Sequence, residues 1–258
     1  MTAARIAAHF GRAAADYDHH AQVQLAAART LLSLLPEQAA GIGVDLGAAT
    51  GPVAERLQRQ CPRLRWLALD LSLPMLEEGR QRGRFDAAFT PLCADARALP
   101  LAAGSVQLLY SSFALQWCPQ LPALLAELRR VLAPDGLLAL CVPVAGSLAE
   151  LQQAWAAVDD DVHVNPLPSR DDWAAAAAAG GWAPEHWHQA QVREFYPSVA
   201  AVGQRQRATG AHYVPGRARA GLLPPSRYRA MVAAYEQQRQ PQGLPLTWEL
   251  LYTVLTPC

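Results

Sequence analysis

Lysine is missing from this chain: all 22 basic residues are arginine, and they balance 22 Asp and Glu to leave no formal net charge. A balanced chain has no electrostatic footprint for nucleic acid or for an anionic membrane, so neither is expected as a partner. Beside so much alanine, the all-arginine usage reads as coding bias. Cysteine is scarce and scattered: Cys61, Cys93, Cys118, Cys141 and Cys258 are odd in number and never form a CxxC pair. That pattern gives neither a disulfide framework nor a zinc spacing, and it fits a reducing, cytoplasmic setting. No apolar run is long enough to span a bilayer, and no N-terminal stretch has the layout of a signal peptide. Charged residues make up only 17% against 52% hydrophobic, which excludes a disordered chain and supplies a sizeable core in 258 residues.

What the chain does have is an alternation. Short apolar runs at 42–46, 64–69, 88–93, 106–110 and 137–142 are interspersed with helical stretches at 53–60, 74–82 and 121–132. That rhythm predicts βαβ units, hence an α/β fold with a mainly parallel sheet and helices on both faces. Residues 5–35 have helical spacing throughout and predict a helix stopped at Pro36. Pro134-Asp135-Gly136 predicts a turn that launches the fifth strand. Ser147 with Glu150, and Ser169 with Asp172, have the spacing of capping boxes. Runs at 185–196 and 246–256 complete seven strands, the last antiparallel. The expected organisation is one domain over 1–258, with a helical cover at 1–36, a ligand-binding core at 42–142 and a lid insertion at 197–245.

The segment Val44-Asp45-Leu46-Gly47-Ala48-Ala49-Thr50-Gly51 ends a strand and opens a helix. Gly47 lets the backbone turn tightly and approach a ligand, Gly51 does the same where the helix begins, and the helix N-terminus offers N–H groups to an anion. Ordinary strand–turn–helix connections also use glycines. Asp70 sharpens the reading, because it closes the next strand 19 residues beyond Gly51, where a carboxylate accepts from both hydroxyls of a ribose. Alone, it would equally cap the following helix. The spacing Gly47-x-x-x-Gly51 lacks the GxGxxG array of dinucleotide dehydrogenases.

In order, Asp45-x-Gly47-x-x-x-Gly51, Asp70-Leu71-Ser72 with Met75, Asp95-Ala96 before Leu99-Pro100, and Leu132-Ala133-Pro134-Asp135-Gly136 resemble the class I S-adenosylmethionine-dependent methyltransferases. The resemblance implies their Rossmann-like fold and their cofactor. It places Asp45, Gly47, Ala49 and Gly51 around the methionine part, Asp70 on the ribose, and Asp95 with Ala96 at the adenine amino edge. Leu71 and Met75 would pack on the adenine ring, and they read equally well as core. Ala49 departs from the family, which has glycine there; a left-handed backbone would strain an alanine.

Outer words narrow the resemblance. Phe10-Gly11-Arg12-Ala13-Ala14 with Tyr17 and His20-Ala21, residues 111–115 with Gln116-Trp117, and Gly146-Ser147-Leu148 with Ala154-Trp155 are three of them. Thr209-Gly210-Ala211-His212 with Gly216-Arg217, and Pro245-Leu246-Thr247, are the others. Together they resemble the malonyl-acyl-carrier-protein O-methyltransferases of biotin synthesis. That implies methyl transfer to the free carboxylate of a malonyl thioester on acyl carrier protein. Tyr17 and Ser111 would attend the cofactor, and Gln116, Trp117, Arg205, His212 and Arg217 the substrate. A carboxylate is already ionised at pH 7, so no general base is expected. An arginine fork suits its two oxygens, with Arg205, Arg207, Arg217 and Arg219 in the lid as candidates; solvated surface charge is the plain alternative for each. His186 and His188 share a strand face without a third ligand, so no metal is expected. Two other readings stand beside this one. The first is a methyltransferase of another small carboxylate or of a carbon acid, which would need a base near Gln116 or His212. The second is a cofactor-binding protein without turnover, for which Ala49 is the hint.

Overall fold

A computed structural model describes residues 3–37, 39–209 and 224–258. Among them, β1 (Ala40–Leu46), β2 (Arg63–Asp70), β3 (Phe89–Cys93), β4 (Val106–Ser112), β5 (Leu132–Pro143), β6 (Trp182–Tyr196) and β7 (Leu244–Pro257) form one sheet. Its order is β3-β2-β1-β4-β5-β7-β6. Strands β1 to β5 are parallel, and β7 is antiparallel to both its neighbours. The central strands β4, β5 and β7 are buried on both faces, which is why they read as nearly unbroken apolar runs. Pro91 is tolerated in β3 because that strand is an edge. The chain order reverses between β1 and β4, so the crevice beyond their C-terminal ends is where a sheet of this kind takes its ligand.

Helices α1 (Ala3–Ala13), α2 (Tyr17–His20), α3 (Gln22–Leu32), α4 (Ala54–Gln60) and α5 (Leu73–Gln81) belong to the first half. They are followed by α6 (Leu121–Val131), α7 (Ala149–Ala156), α8 (Arg170–Ala179), α9 (Val199–Ala208) and α10 (Pro225–Glu236). One apolar core joins Leu31, Leu57, Trp66, Tyr110 and Tyr235; the other joins Leu109, Leu125, Leu128, Leu140 and Trp173. The two lie on opposite faces of the sheet, giving the three-layer α/β architecture the alternation predicts. No helix among the described residues is long and apolar enough to cross a membrane, and all five cysteines are free.

The structure departs from expectation in three places. The N-terminal helix is broken into α1, α2 and α3. Asp18 bonds Thr50 Oγ1 at 2.7 Å and pairs with Arg84 at 2.6 Å and with Arg82, while the carbonyl of Ala15 accepts from Arg82 Nη2 at 2.7 Å. Partners across the fold thus override alanine-rich helix propensity. Second, Ser147 and Glu150 make no capping box. Leu148 caps α7 at φ 59°, Ser147 Oγ exchanges bonds with the backbone of Glu249, and the Glu150 carboxylate accepts from Thr247 N–H at 3.0 Å. Both side chains tie α7 to β7 instead. The Ser169–Asp172 box does form and starts α8. Third, residues 133–136 are a bulge inside β5, whose register against β4 slips from Val106↔Leu132 to Leu108↔Leu137. Gly136 is required there, since a Cβ would lie 3.0 Å from the carbonyl oxygens of Ala133 and Val106.

Candidate active site

Beyond β1 the chain turns through Gly47 at φ 85° and Ala49 at φ 50° before α4 begins. Gly47 admits no substitute: a Cβ there would fall 2.2 Å from the Ala114 methyl. Ala49 does adopt the left-handed conformation, which costs an alanine about 1 kcal/mol. Its N–H donates to Asp70 Oδ2 at 2.8 Å, and Ser72 N–H donates to Oδ1 at 2.7 Å. One carboxylate therefore clamps the turn after β1 to the turn after β2. The carboxylate, with about four acceptor sites, still has room for a further donor.

Charge is concentrated and dry here. Asp45 is 3% exposed, and its Oδ2 has no hydrogen-bond partner. Burial, and then the neighbouring charge of Asp70, push the Asp45 carboxyl up to about 8. Burial also raises Asp70, against the backbone N–H groups of Ser72, Ala49 and Leu71 that favour its ionised form. Burial and Asp70 keep the Tyr17 hydroxyl protonated far above its ordinary range.

A cavity of ≈ 100 Å³ follows this turn, lined by Gly47, Ala49, Asp70, Leu71, Met75, Asp95 and Ala96 among others. These seven residues, all expected at the cofactor, are thus brought together. Asp95 arrives already bridged by Arg97, whose bond holds its carboxyl below the usual range. Ser111 is not placed there. Its hydroxyl is buried and donates to the Leu46 carbonyl at 2.8 Å, whereas Ser112 lines the cavity with an unpartnered Oγ. Gly51 stands off the cavity at the approach to α4, and Asp45 lines a smaller recess of ≈ 30 Å³ with Tyr17 and Ser112.

A second cavity, of ≈ 330 Å³, shares Phe10, Tyr17, Phe113 and Trp117 with the first. These four side chains form an aromatic collar between the two spaces. Trp117 meets Phe10 edge-on at 5.5 Å, and Phe113, at φ 55°, meets Trp248 at 5.5 Å. Gln116 and Trp117 line the second cavity as the sequence implies. Trp117 Nε1, Gln116 Oε1 and Gln206 Oε1 are buried without partners, as groups awaiting a ligand would be.

Arg205, expected at the substrate, lines neither cavity. It is 4% exposed, lies 5.3 Å over the Trp248 ring, pairs with Glu194 at 3.3 Å and donates to Gln24 at 3.1 Å. It belongs to the wall behind the cavity, and the α9 guanidinium that lines the cavity is that of Arg207. His212, Arg217 and Arg219 lie outside the described residues. Sequence reasoning missed His163, stacked on Trp155 at 3.7 Å and bonded to Asp159 at 2.7 Å, while Phe113 lay inside the family word 111–115 without a role. Phe10 was legible only as part of a family word.

The first cavity fits the S-adenosylmethionine that the sequence resemblance implies. It has a close backbone approach at Gly47, a carboxylate at Asp70 for a diol and an orphaned hydroxyl on Ser112, with the orphaned Oδ2 of Asp45 in the adjoining recess. Residues 44–140 match the family described as "Methyltransferase domain". Among solved structures, the geranyl diphosphate C-methyltransferase of Streptomyces coelicolor A3(2) superposes with a TM-score of 0.56 at 16% identity, over 90% of this chain and 77% of that one. At that identity the likeness shows the fold. The malonyl-[acyl-carrier protein] O-methyltransferase of Alcanivorax borkumensis is 49% identical over 96% of this chain and 84% of its own length. The protein of the same name from Pectobacterium atrosepticum is 36% identical over 97% and 95%. Similarity of this depth extends beyond the cofactor core to nearly the whole length of both partners, and so the chain belongs to the malonyl-[acyl-carrier protein] O-methyltransferase family.

Proposed function

We propose that this protein transfers a methyl group from S-adenosylmethionine to the free carboxylate of malonyl-acyl carrier protein. The observation that carries this reading is the aromatic collar shared by two cavities, one built for a nucleoside and one large enough for an acyl arm. Bound in the first cavity, the cofactor supplies a methyl group on a cationic sulfonium. Asp70 holds the ribose, and Asp45 and Ser112 face the polar end. Phe10, Tyr17, Phe113 and Trp117 present ring faces that favour a cation and exclude water. The transfer consumes one positive and one negative charge, so an apolar wall favours it. Methyl transfer to a carboxylate oxygen would exchange a C–S bond for a C–O bond with no proton to move. That balance explains why no side chain needs to act as a base; catalysis rests on alignment. Trp117 Nε1–H is an unused donor for a substrate oxygen, and Gln116 and Gln206 offer acceptors to amide groups of the arm.

In this reading the N-terminal cover and α9 close the site, and the reaction proceeds in the cytoplasm, in keeping with five free cysteines. The test is mass spectrometry of malonyl-acyl carrier protein after incubation with the protein and S-adenosylmethionine. Gain of one methyl group on the malonyl form, none on the acetyl form, and loss of the gain with Asp70→Ala is the expected result. Absence of any gain while the cofactor binds would discard the substrate.

A further inference from the structure

An open groove of ≈ 330 Å³ runs between α1 and α9, outside both cavities of the site. His9, Arg12 and Asp16 line it from the N-terminal cover, and Gln204 and Arg207 from α9. Arg207 also lines the acyl cavity, so the groove adjoins that cavity at one shared side chain. Arg12 and Arg207 are exposed and have no carboxylate partner among the described residues. Partial burial, and then the charge of Arg12, lower His9 below its ordinary range and so disfavour its charged form. Asp16 is the carboxylate in the groove lining. Two guanidinium charges against one carboxylate leave a net charge of one positive unit.

We propose that this groove binds the phosphodiester at the outer end of the phosphopantetheine arm that carries the malonyl thioester. The inference rests on the proposed function and extends it from the acyl end of the substrate to the anion at the far end. With the thioester at the collar, the arm leads outward along a cavity wall that includes Arg207, and its one fixed negative charge meets two unengaged guanidinium groups. A phosphodiester carries a single charge, which matches the net charge of the groove. Planar guanidinium forks bind phosphate oxygens in pairs, and Gln204 adds an amide donor.

The experiment compares kcat/KM of the full chain on the methyl phosphodiester of malonyl-4′-phosphopantetheine, which keeps the single charge of the carrier linkage, and on malonyl-pantetheine, which lacks the phosphate, with malonyl-acyl carrier protein alongside. Wild type, Arg12→Gln, Arg207→Gln and Arg12→Lys are measured, each with a thermal melt to establish folding. Wild type is expected to prefer the phosphate-bearing arm by about tenfold or more. Each Gln variant loses most of that preference, and Arg12→Lys restores part of it. The wild-type preference also shrinks as salt is raised. Equal use of both arms by wild type, or a preference unchanged in the Gln variants, would overturn the proposal. Equal loss on both arms would do the same, since it marks a merely structural role. Methylation of the carrier protein but of neither free arm would assign recognition to protein contacts instead. Methylation of none of the three would remove the proposed function itself.

Discussion

Replacing Asp45 by asparagine should make the free protein more stable at neutral pH and less stable in acid. The Asp45 carboxyl stands at about 8 in the folded chain against an ordinary value of 3.8. Between those values the folded chain retains a proton that the unfolded chain has released, so stability falls as pH rises through the window. Each pH unit costs about 1.36 kcal/mol, which amounts to about 4 kcal/mol at pH 7. That is a large share of the roughly 5–15 kcal/mol that holds a domain folded. Asparagine removes the titration but buries an amide N–H₂ where Oδ2 has no partner, at a cost of about 1–3 kcal/mol. The two stability curves should therefore cross at about pH 5, with the Asp45→Asn variant ahead by about 2 kcal/mol at pH 7. Urea unfolding without cofactor, repeated from pH 5 to pH 8, measures the difference directly. Parallel curves for the two proteins would refute the reasoning, because they would show that Asp45 does not titrate in that window. Cofactor titration gives the companion result: the stabilised variant should bind S-adenosylmethionine more weakly, a trade common at functional sites.

Three further outcomes follow from the geometry. Glu150→Ala strips the acceptor from Thr247, which is 5% exposed, so it should cost about 2–4 kcal/mol and lower Tm by roughly 10 °C in a calorimetric scan. Ala49→Gly relieves left-handed strain but adds unfolded-chain entropy and deletes a buried methyl, so urea melts should move by no more than about 1 kcal/mol. A gain above about 2 kcal/mol would show that alanine is badly accommodated there. Trp117→Ala opens the collar and removes the edge contact to Phe10; kcat should fall by about tenfold or more while circular dichroism stays unchanged.

Much of the fold was legible because hydrophobic period is a local property. Strands at 42–46 and 64–69 sit where the apolar runs put them, and the glycine turn and Asp70 meet as their spacing implies. What escaped depends on phase or on distance. Ser111 and Ser112 are neighbours on one strand, and alternation sends their side chains to opposite faces; only the exact register says which one reaches the cavity. Arg205 and Arg207 are two positions apart on α9, so helical phase sends one to Trp248 and the other to the cavity. The positive φ of Phe113 leaves no mark in composition. The breaks in the N-terminal helix depend on bonds from Asp18 to Thr50, Arg82 and Arg84, residues that no local window contains.

The shared collar also sets how such a protein changes over generations. Phe10, Tyr17, Phe113 and Trp117 each line both cavities at once, which in the proposed function are the donor's and the acceptor's spaces. A mutation that widens the collar for a bulkier acyl group also reshapes the wall against the methyl donor. Acceptor range is therefore freer to drift at positions that line the outer cavity and not the first, such as Leu151, Val164 and Met231. Variation among descendants of this fold should accumulate there first, with the four aromatic positions changing late and together.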